Sequence, residues 1–322
     1  MRRTVVVATA TALLLAGCAS APPQATVTPS LQAQASLIDS QASAVIDSTF
    51  AVLDAADAAK NQELFVSRVA GNAALVRVAE YAVAKAVPDE PVSVLPSKMQ
   101  GVYVSRSELW PRMLAAVSEP AADDLTPVVY MWVQETVDDP YRLVAWAHMI
   151  PGAVLPAMPG EVNGAEPLPL GEVGVEPSPR KALEDYVEYL RQGADSDFAD
   201  QFADDSYAQQ LFSARGVLAQ AAAGTGGAYL DTIQPDFAST FALSTSDGGA
   251  LVFAPIDIAS SFAVKDATLK LSARDAPLLS GAATDKVTYN YRDFVVLLVP
   301  PPGQDQLPAV IAAEHHIISI TP

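Results

Sequence analysis

Acid–base or metal chemistry would depend on very few residues of this sequence, because it holds only three histidines: His148, His315 and His316. His315 and His316 are neighbours, and neighbouring side chains on a strand point to opposite faces. They therefore cannot bind one metal ion together without distortion, while Glu314 shares a face with His316. We interpret these residues as polar positions on an edge strand and His148 as the end of another strand. No metal or cofactor is predicted.

The aromatic residues are the second group with possible chemistry. All three tryptophans and several tyrosines lie between residues 103 and 146. An aromatic cleft formed by Trp110, Tyr130, Trp132 and Trp146 would suit a glycan, a lipid or a peptide. The same rings are also typical of a core, and we favour that interpretation, with Trp110 as the exposed member.

The motifs of several enzyme classes are absent from the sequence. It contains no Gly-x-Ser-x-Gly, no His-Glu-x-x-His, no phosphate-binding loop and no dinucleotide fingerprint. A buried Asp/Tyr pair could still transfer protons, with Tyr130 or Tyr289 as candidates. The sequence selects no catalytic residue, so whether the protein is an enzyme stays open, and we expect that it is not.

The N-terminus has the features of an export signal. Arg2 and Arg3 precede an apolar run that is too short to span a bilayer. Residues 15–18, Leu-Ala-Gly-Cys, resemble the bacterial lipobox. That resemblance implies cleavage after residue 17, a lipid on Cys18 and a location on the extracytoplasmic face of the cell membrane. Residues 18–32 are small and polar with several prolines, which predicts a flexible tether.

Charge and cysteine content narrow the partners further. Without Arg2 and Arg3, 17 basic residues face 37 acidic ones, a net charge of −20. Nucleic acid requires clustered Lys and Arg, so it is an unsuitable partner. Cys18 is the only cysteine, which excludes disulfides within the chain and thiolate catalysis once it is lipidated.

A proline- and glycine-rich segment, residues 151–178, separates two halves. From Pro151 to Pro179 the chain has seven prolines and five glycines, a density that neither helix nor central strand tolerates. We expect a first module over residues 33–150, a linker over 151–178 and a second module over 179–322.

Both halves show helical periodicity before strand-like patterns. In the first, helices are predicted over 31–60 and 75–86, and strands over 100–105, 112–118, 127–134 and 141–148. In the second, helices are predicted over 179–191 and 206–223, and strands over 237–243, 251–256, 286–299 and 309–320. This order predicts an α+β protein, with helices on a curved antiparallel sheet in each module, as in NTF2-like or cystatin-like cones.

Short motifs also resemble an uncharacterised family. Trp110-Pro-Arg, Asp139-Pro-Tyr and the later run Thr245-Ser-Asp-Gly-Gly are similar to a lipoprotein domain of unknown function found in actinobacteria. The resemblance covers most of the mature chain and implies a two-part secreted domain. It implies no activity and no catalytic residues.

These observations predict a lipid-anchored binding or scaffold protein of the cell envelope, with an envelope protein, a glycan or a lipid as partner. Two alternatives remain open. One is an enzyme with an NTF2-like pocket acting outside the cytoplasm, and the other is a substrate-binding lipoprotein of a transporter.

Overall fold

The structure is a computed structural model that describes residues 34–122, 125–160, 162–171 and 174–322. Ala33–Pro322 form one compact unit. The predicted signal peptide, the lipidation site Cys18 and the tether lie outside the described residues. Within the described ranges, no helix has the length and hydropathy needed to cross a bilayer.

Two helices precede the strands in each half, as the sequence predicts. The helices and strands of the first half are α1 (Asp39–Ala59), α2 (Gly71–Ala86), β1 (Met99–Val104), β2 (Arg112–Ser118), β3 (Val128–Gln134) and β4 (Arg142–Met149). Those of the second half are α3 (Pro179–Gln192), α4 (Ser206–Gly224), β5 (Ala228–Pro235), β6 (Phe241–Ser244), β7 (Ala250–Ala263), β8 (Lys286–Val299), β9 (Ala309–Glu314) and β10 (Ile317–Thr321).

All strands belong to one antiparallel sheet that continues through both halves. Its order is β1-β2-β3-β4-β9-β8-β7-β5, with β6 also pairing with β7 and β10 with β8. The halves join where His148 and Met149 of β4 pair with Ala313 and Ala312 of β9. The α+β class is confirmed, whereas two separate NTF2-like modules are not.

Side chains alternate across this sheet and build three cores. In β2, Leu114 faces α1 and α2, while Met113 faces the other side. In β8, Val295 faces α3 and α4, while Val296 lies in the same core as Met113. This middle core therefore takes residues from both halves, and the sheet is curled around it. Burial of the apolar side chains in these three cores is the main favourable term in folding.

The segment predicted as a linker fastens the two halves together. Ala165 donates its backbone N–H to Val104 O beside β1, and Leu168 donates to Ala242 O in β6, both at 2.9 Å. These two bonds tie the segment to a strand of each half.

Two predicted strands require correction, and one strand of the structure was not predicted. The strand predicted over 237–243 is wrong at its start, because Asp236 accepts backbone N–H bonds from Ala238 and Ser239 and caps a 3₁₀ turn. The strand predicted over 309–320 is broken at His315 and His316. Strand β5 was not predicted, since Ile233 is its only buried residue and it shows little apolar pattern.

Candidate functional site

A cleft of about 370 Å³ lies beside the break between β9 and β10. Helix α2 and the segment before β8 form its other walls. Its polar and aromatic lining residues are Glu80, Glu90, Ser93, Arg274, Asp275, Tyr291, His315 and His316. Carboxylates therefore outnumber arginine in the lining, and the one arginine is paired with Glu90 at 3.1 Å.

His315 is held in this cleft by a hydrogen bond and by a ring stack. Its Nδ1 lies 2.7 Å from Oδ2 of Asp293, and its side chain is 41% exposed. The Tyr291 ring stacks on it with centroids 4.2 Å apart and an angle of 17° between the planes. Burial lowers the pKa of His315, but the bond to Asp293 and the charge of that carboxylate outweigh it, so the pKa is raised above its usual value.

Asp293 connects the cleft with the interior of the second half. Its side chain is fully buried, and Tyr207 donates its hydroxyl to Oδ2 at 2.6 Å. Oδ1 has no hydrogen-bond partner among the described residues. A buried carboxylate is costly unless it is paired. The contacts with Tyr207 and His315 therefore offset the free-energy cost of burying Asp293.

A second buried carboxylate lies next to this arrangement. Asp205 caps α4 by accepting from the Ala208 N–H at 2.7 Å, and Tyr186 donates to it at 3.1 Å. Burial raises the pKa of Asp205, although these bonds oppose the shift. Burial also raises the pKa values of Tyr186 and Tyr207, so both remain hydroxyl donors. We call Tyr186, Asp205, Tyr207 and Asp293 the polar strip.

The other two histidines share one carboxylate. Glu314 Oε2 lies 2.6 Å from His148 Nδ1, and Oε1 lies 3.3 Å from His316 Nε2. Burial alone would raise the pKa of Glu314, but its two histidine partners lower it to about 2. The bond to Glu314 raises the pKa of His148. Among the described residues, no group of three or more suitable side chains could hold a metal ion.

The four predicted aromatic positions separate into two environments. Tyr130, Trp132 and Trp146 are buried in the core beneath α1 and α2. Tyr130 donates to Pro96 O at 2.9 Å, and Trp132 donates to Thr49 Oγ1 at 3.0 Å. These three rings fill a core, and Trp146 also borders a space of about 10 Å³ that is too small for a ligand.

Trp110 lies apart from them. It is 41% exposed in the loop between β1 and β2, and the Arg112 guanidinium covers its ring at 4.3 Å. Ligand binding by Trp110 stays a prediction.

A family model matches the part of the chain that contains this cleft. It is described as Domain of unknown function (DUF8094) and matches residues 34–318. The chain belongs to this family. The match spans both halves and includes the cleft, so the polar strip and His315 lie within the DUF8094 domain. No curated protein and no solved structure matches the chain.

Sequence reasoning missed the central residue of this site. Asp293 occupies a position in β8 whose side chain shares a face with Val295, Leu297 and Val299, all buried. An aspartate at a position that the alternation pattern predicts to be buried could therefore have been noticed from the sequence. Its partners cannot be found in the same way, because Tyr207 lies 86 residues away in the chain.

Proposed function

We propose that this protein is a lipid-anchored, non-enzymatic binding protein of the cell envelope, and that its ligand occupies the cleft beside His315. The observation that carries the proposal is the stacked pair of Tyr291 and His315, fixed from behind by buried Asp293. A flat, rigid ring surface beside several carboxylates suits a small planar cation, such as the side chain of a basic peptide.

The charge of the cleft supports a cationic ligand. Glu80 pairs with Arg77 and Glu90 pairs with Arg274. Asp275 therefore adds an excess carboxylate to the lining, and the mature chain is strongly acidic overall. Such a potential attracts cations to the site and repels anions. Protonation of His315 would oppose a cation, so binding should strengthen as the pH rises through the pKa of His315.

Benzamidinium and its neutral isostere benzamide test the site as a matched pair of probes. Binding would be followed by the NMR signals of His315, with Asp275→Asn as the cleft variant and the exposed Glu63→Gln as the control. We expect benzamidinium to bind more tightly than benzamide, and only Asp275→Asn to reduce the difference. Equal binding of both probes, or shifts that bypass His315, would contradict the cationic site.

The lipid anchor is supported by the sequence alone, through residues 15–18 and the preceding apolar run. Mass spectrometry of the native N-terminal peptide should show acyl chains on Cys18. Cys18→Ala should move the protein from the membrane to the soluble fraction, because several acyl chains are needed for stable attachment. A variant that stays bound to membranes would refute the anchor.

An enzyme is the second candidate, and the line Tyr207–Asp293–His315 favours it. A carboxylate on Nδ1 orients a histidine so that Nε2 can act as a general base, here on a water molecule. Hydrolysis of a panel of p-nitrophenyl esters would test it: an enzyme should lose turnover in His315→Gln, while a binding protein shows no turnover to lose.

A substrate-binding lipoprotein of a transporter is less well supported. Such proteins close two lobes around a ligand by hinge motion. Here the two halves share the middle core and one sheet, which opposes hinge opening.

We further propose that the halves arose by duplication of an NTF2-like module. The support is the repeated order of two helices followed by antiparallel strands. If the first half is such a module, a chain ending at residue 150 should fold alone. Its failure to fold would count against the proposal.

A further inference from the structure

The first described residues of the chain are fixed to the loop that carries Trp110. The Ser107 N–H donates to Gln34 O at 2.9 Å, and the Ser36 N–H donates to Ser105 O at 2.8 Å. Ala35 N–H donates to Val162 O at 3.1 Å on the other side. The point where the chain from Cys18 reaches the folded unit therefore lies between the β1–β2 loop and the segment around residue 162.

Large apolar side chains are exposed around this point. They are Ile38, Leu109, Trp110 and Val162, which are 66%, 53%, 41% and 80% exposed. We call these four residues the tether rim. Single exposed apolar residues are ordinary, but here three separate segments place them around one position in the fold.

We propose that the tether rim lies in the headgroup layer of the bilayer to which Cys18 is attached. This inference rests on the proposed anchor. Tryptophan is the side chain that most favours the membrane–water interface, since its ring is apolar and its N–H is polar. Arg112 stacks on Trp110 and can bind lipid phosphate, while Glu108 is the one carboxylate of the loop.

The length of the chain before Gln34 supports this partner. Cys18 precedes Gln34 by sixteen residues. A flexible chain of that length has a root-mean-square span of about 22 Å. The anchor thus keeps the tether rim close to the membrane, and this high effective concentration allows a weak apolar contact to persist. A distant surface of the protein would gain much less from the anchor.

Brominated lipids provide the test, because bromine in acyl chains quenches only those tryptophans that reach the bilayer. Cys18 is the only cysteine, so the chain beginning at Cys18 can be coupled to maleimide lipids in phosphatidylcholine vesicles. Trp132 and Trp146 are buried and serve as internal references. We expect brominated vesicles to quench a fluorescence component that Trp110→Phe removes. Leu109→Ser with Val162→Ser should reduce the quenching.

Two results would overturn the proposal. In one, acrylamide in water quenches Trp110 in coupled protein as strongly as in free protein, which shows a loop in solvent. In the other, Trp110 is shielded from acrylamide but not quenched by bromine, which indicates a second copy of the chain. Circular dichroism and denaturation of the variants confirm that they fold. Because coupling replaces natural acylation, a missing native acyl group would refute the anchor without deciding this result.

Discussion

The two halves use the same arrangement of helices on a sheet but fill it with opposite chemistry. Beneath α1 and α2, aromatic rings pack together with a fully buried arginine: Arg77 pairs with Glu80 at 2.9 Å and lies 5.1 Å from the centre of the Trp146 ring. Beneath α3 and α4, the polar strip places two carboxylates among apolar side chains. The first core therefore buries an arginine, whereas the second buries carboxylates whose contacts end at the cleft.

This difference indicates where the functional site lies. Burial of carboxylates is expensive, so a fold that retains them needs a structural or a functional reason. Asp205 has a structural one, because it caps α4. Asp293 caps no helix, and its contacts lead to His315 at the wall of the cleft. The comparison therefore singles out Asp293 as the residue that links the core to the proposed binding site.

The largest effect is expected in the aromatic core. Trp132→Ala should lower the free energy of unfolding by about 3–5 kcal/mol, because it opens a large cavity in a fully buried position. Trp110→Ala is the control, and its loss should stay near 0.5 kcal/mol since that ring is exposed. Urea denaturation measures both. Equal losses would show that the first core is not tightly packed.

The charge of the polar strip should be detectable in the free energies of unfolding of two tyrosine variants. Tyr207→Phe removes a bond to a carboxylate and should cost about 1.5–3 kcal/mol, while Tyr130→Phe removes a bond to a carbonyl and should cost about 0.5–1.5 kcal/mol. The two substitutions are chemically identical, so their difference isolates the charge of Asp293. If Tyr130→Phe cost as much, the proposed contrast between the cores would fail.

The pairing of Glu314 with His148 near the junction between the halves should make stability depend on pH. The lowered pKa of Glu314 gives stability above its ordinary value of 4.5, which is lost as the pH falls toward 2. The raised pKa of His148 gives stability below 6.5, which is lost as the pH rises through the raised value. Both contributions are complete between pH 4.5 and 6.5.

Glu314→Gln tests this window. The difference in urea midpoint between the wild-type protein and the variant should be largest from pH 4.5 to 6.5 and should shrink at higher and lower pH. The effect should be moderate, because His148 is 39% exposed and solvent screens its charge. The exposed Glu63→Gln serves as the control, and an identical pH profile in both variants would contradict the role of Glu314.

Local patterns predicted much of this fold but not its joining. The bounds of β2 and β8 match the prediction, because alternation and β-branched residues are local signals. The pairing of His148 with Ala313 is a contact between distant parts of the chain, which no local pattern encodes. For the same reason the sequence predicted two separate modules, whereas one sheet continues through both halves. The break at His315 was also hidden, because polar residues are ordinary on an edge strand and residues 309–320 contain no proline or glycine to mark a break.

The smallest effect is expected at the rim of the cleft, where Arg274 pairs with Glu90. Arg274 is largely exposed and Glu90 partly so, and solvent screens the pair, so Arg274→Ala should change the free energy of unfolding by no more than about 1 kcal/mol. It should nevertheless strengthen benzamidinium binding, because it frees a carboxylate and removes the one arginine of the lining. Lys85→Ala, on the exposed end of α2, controls for the general loss of a positive charge.

Stability measured by urea denaturation and affinity measured by NMR would then separate the two roles of charged residues in this protein. Those of the polar strip hold the fold, and those of the cleft select the ligand. A large loss of stability without a change in affinity would reverse that assignment for Arg274.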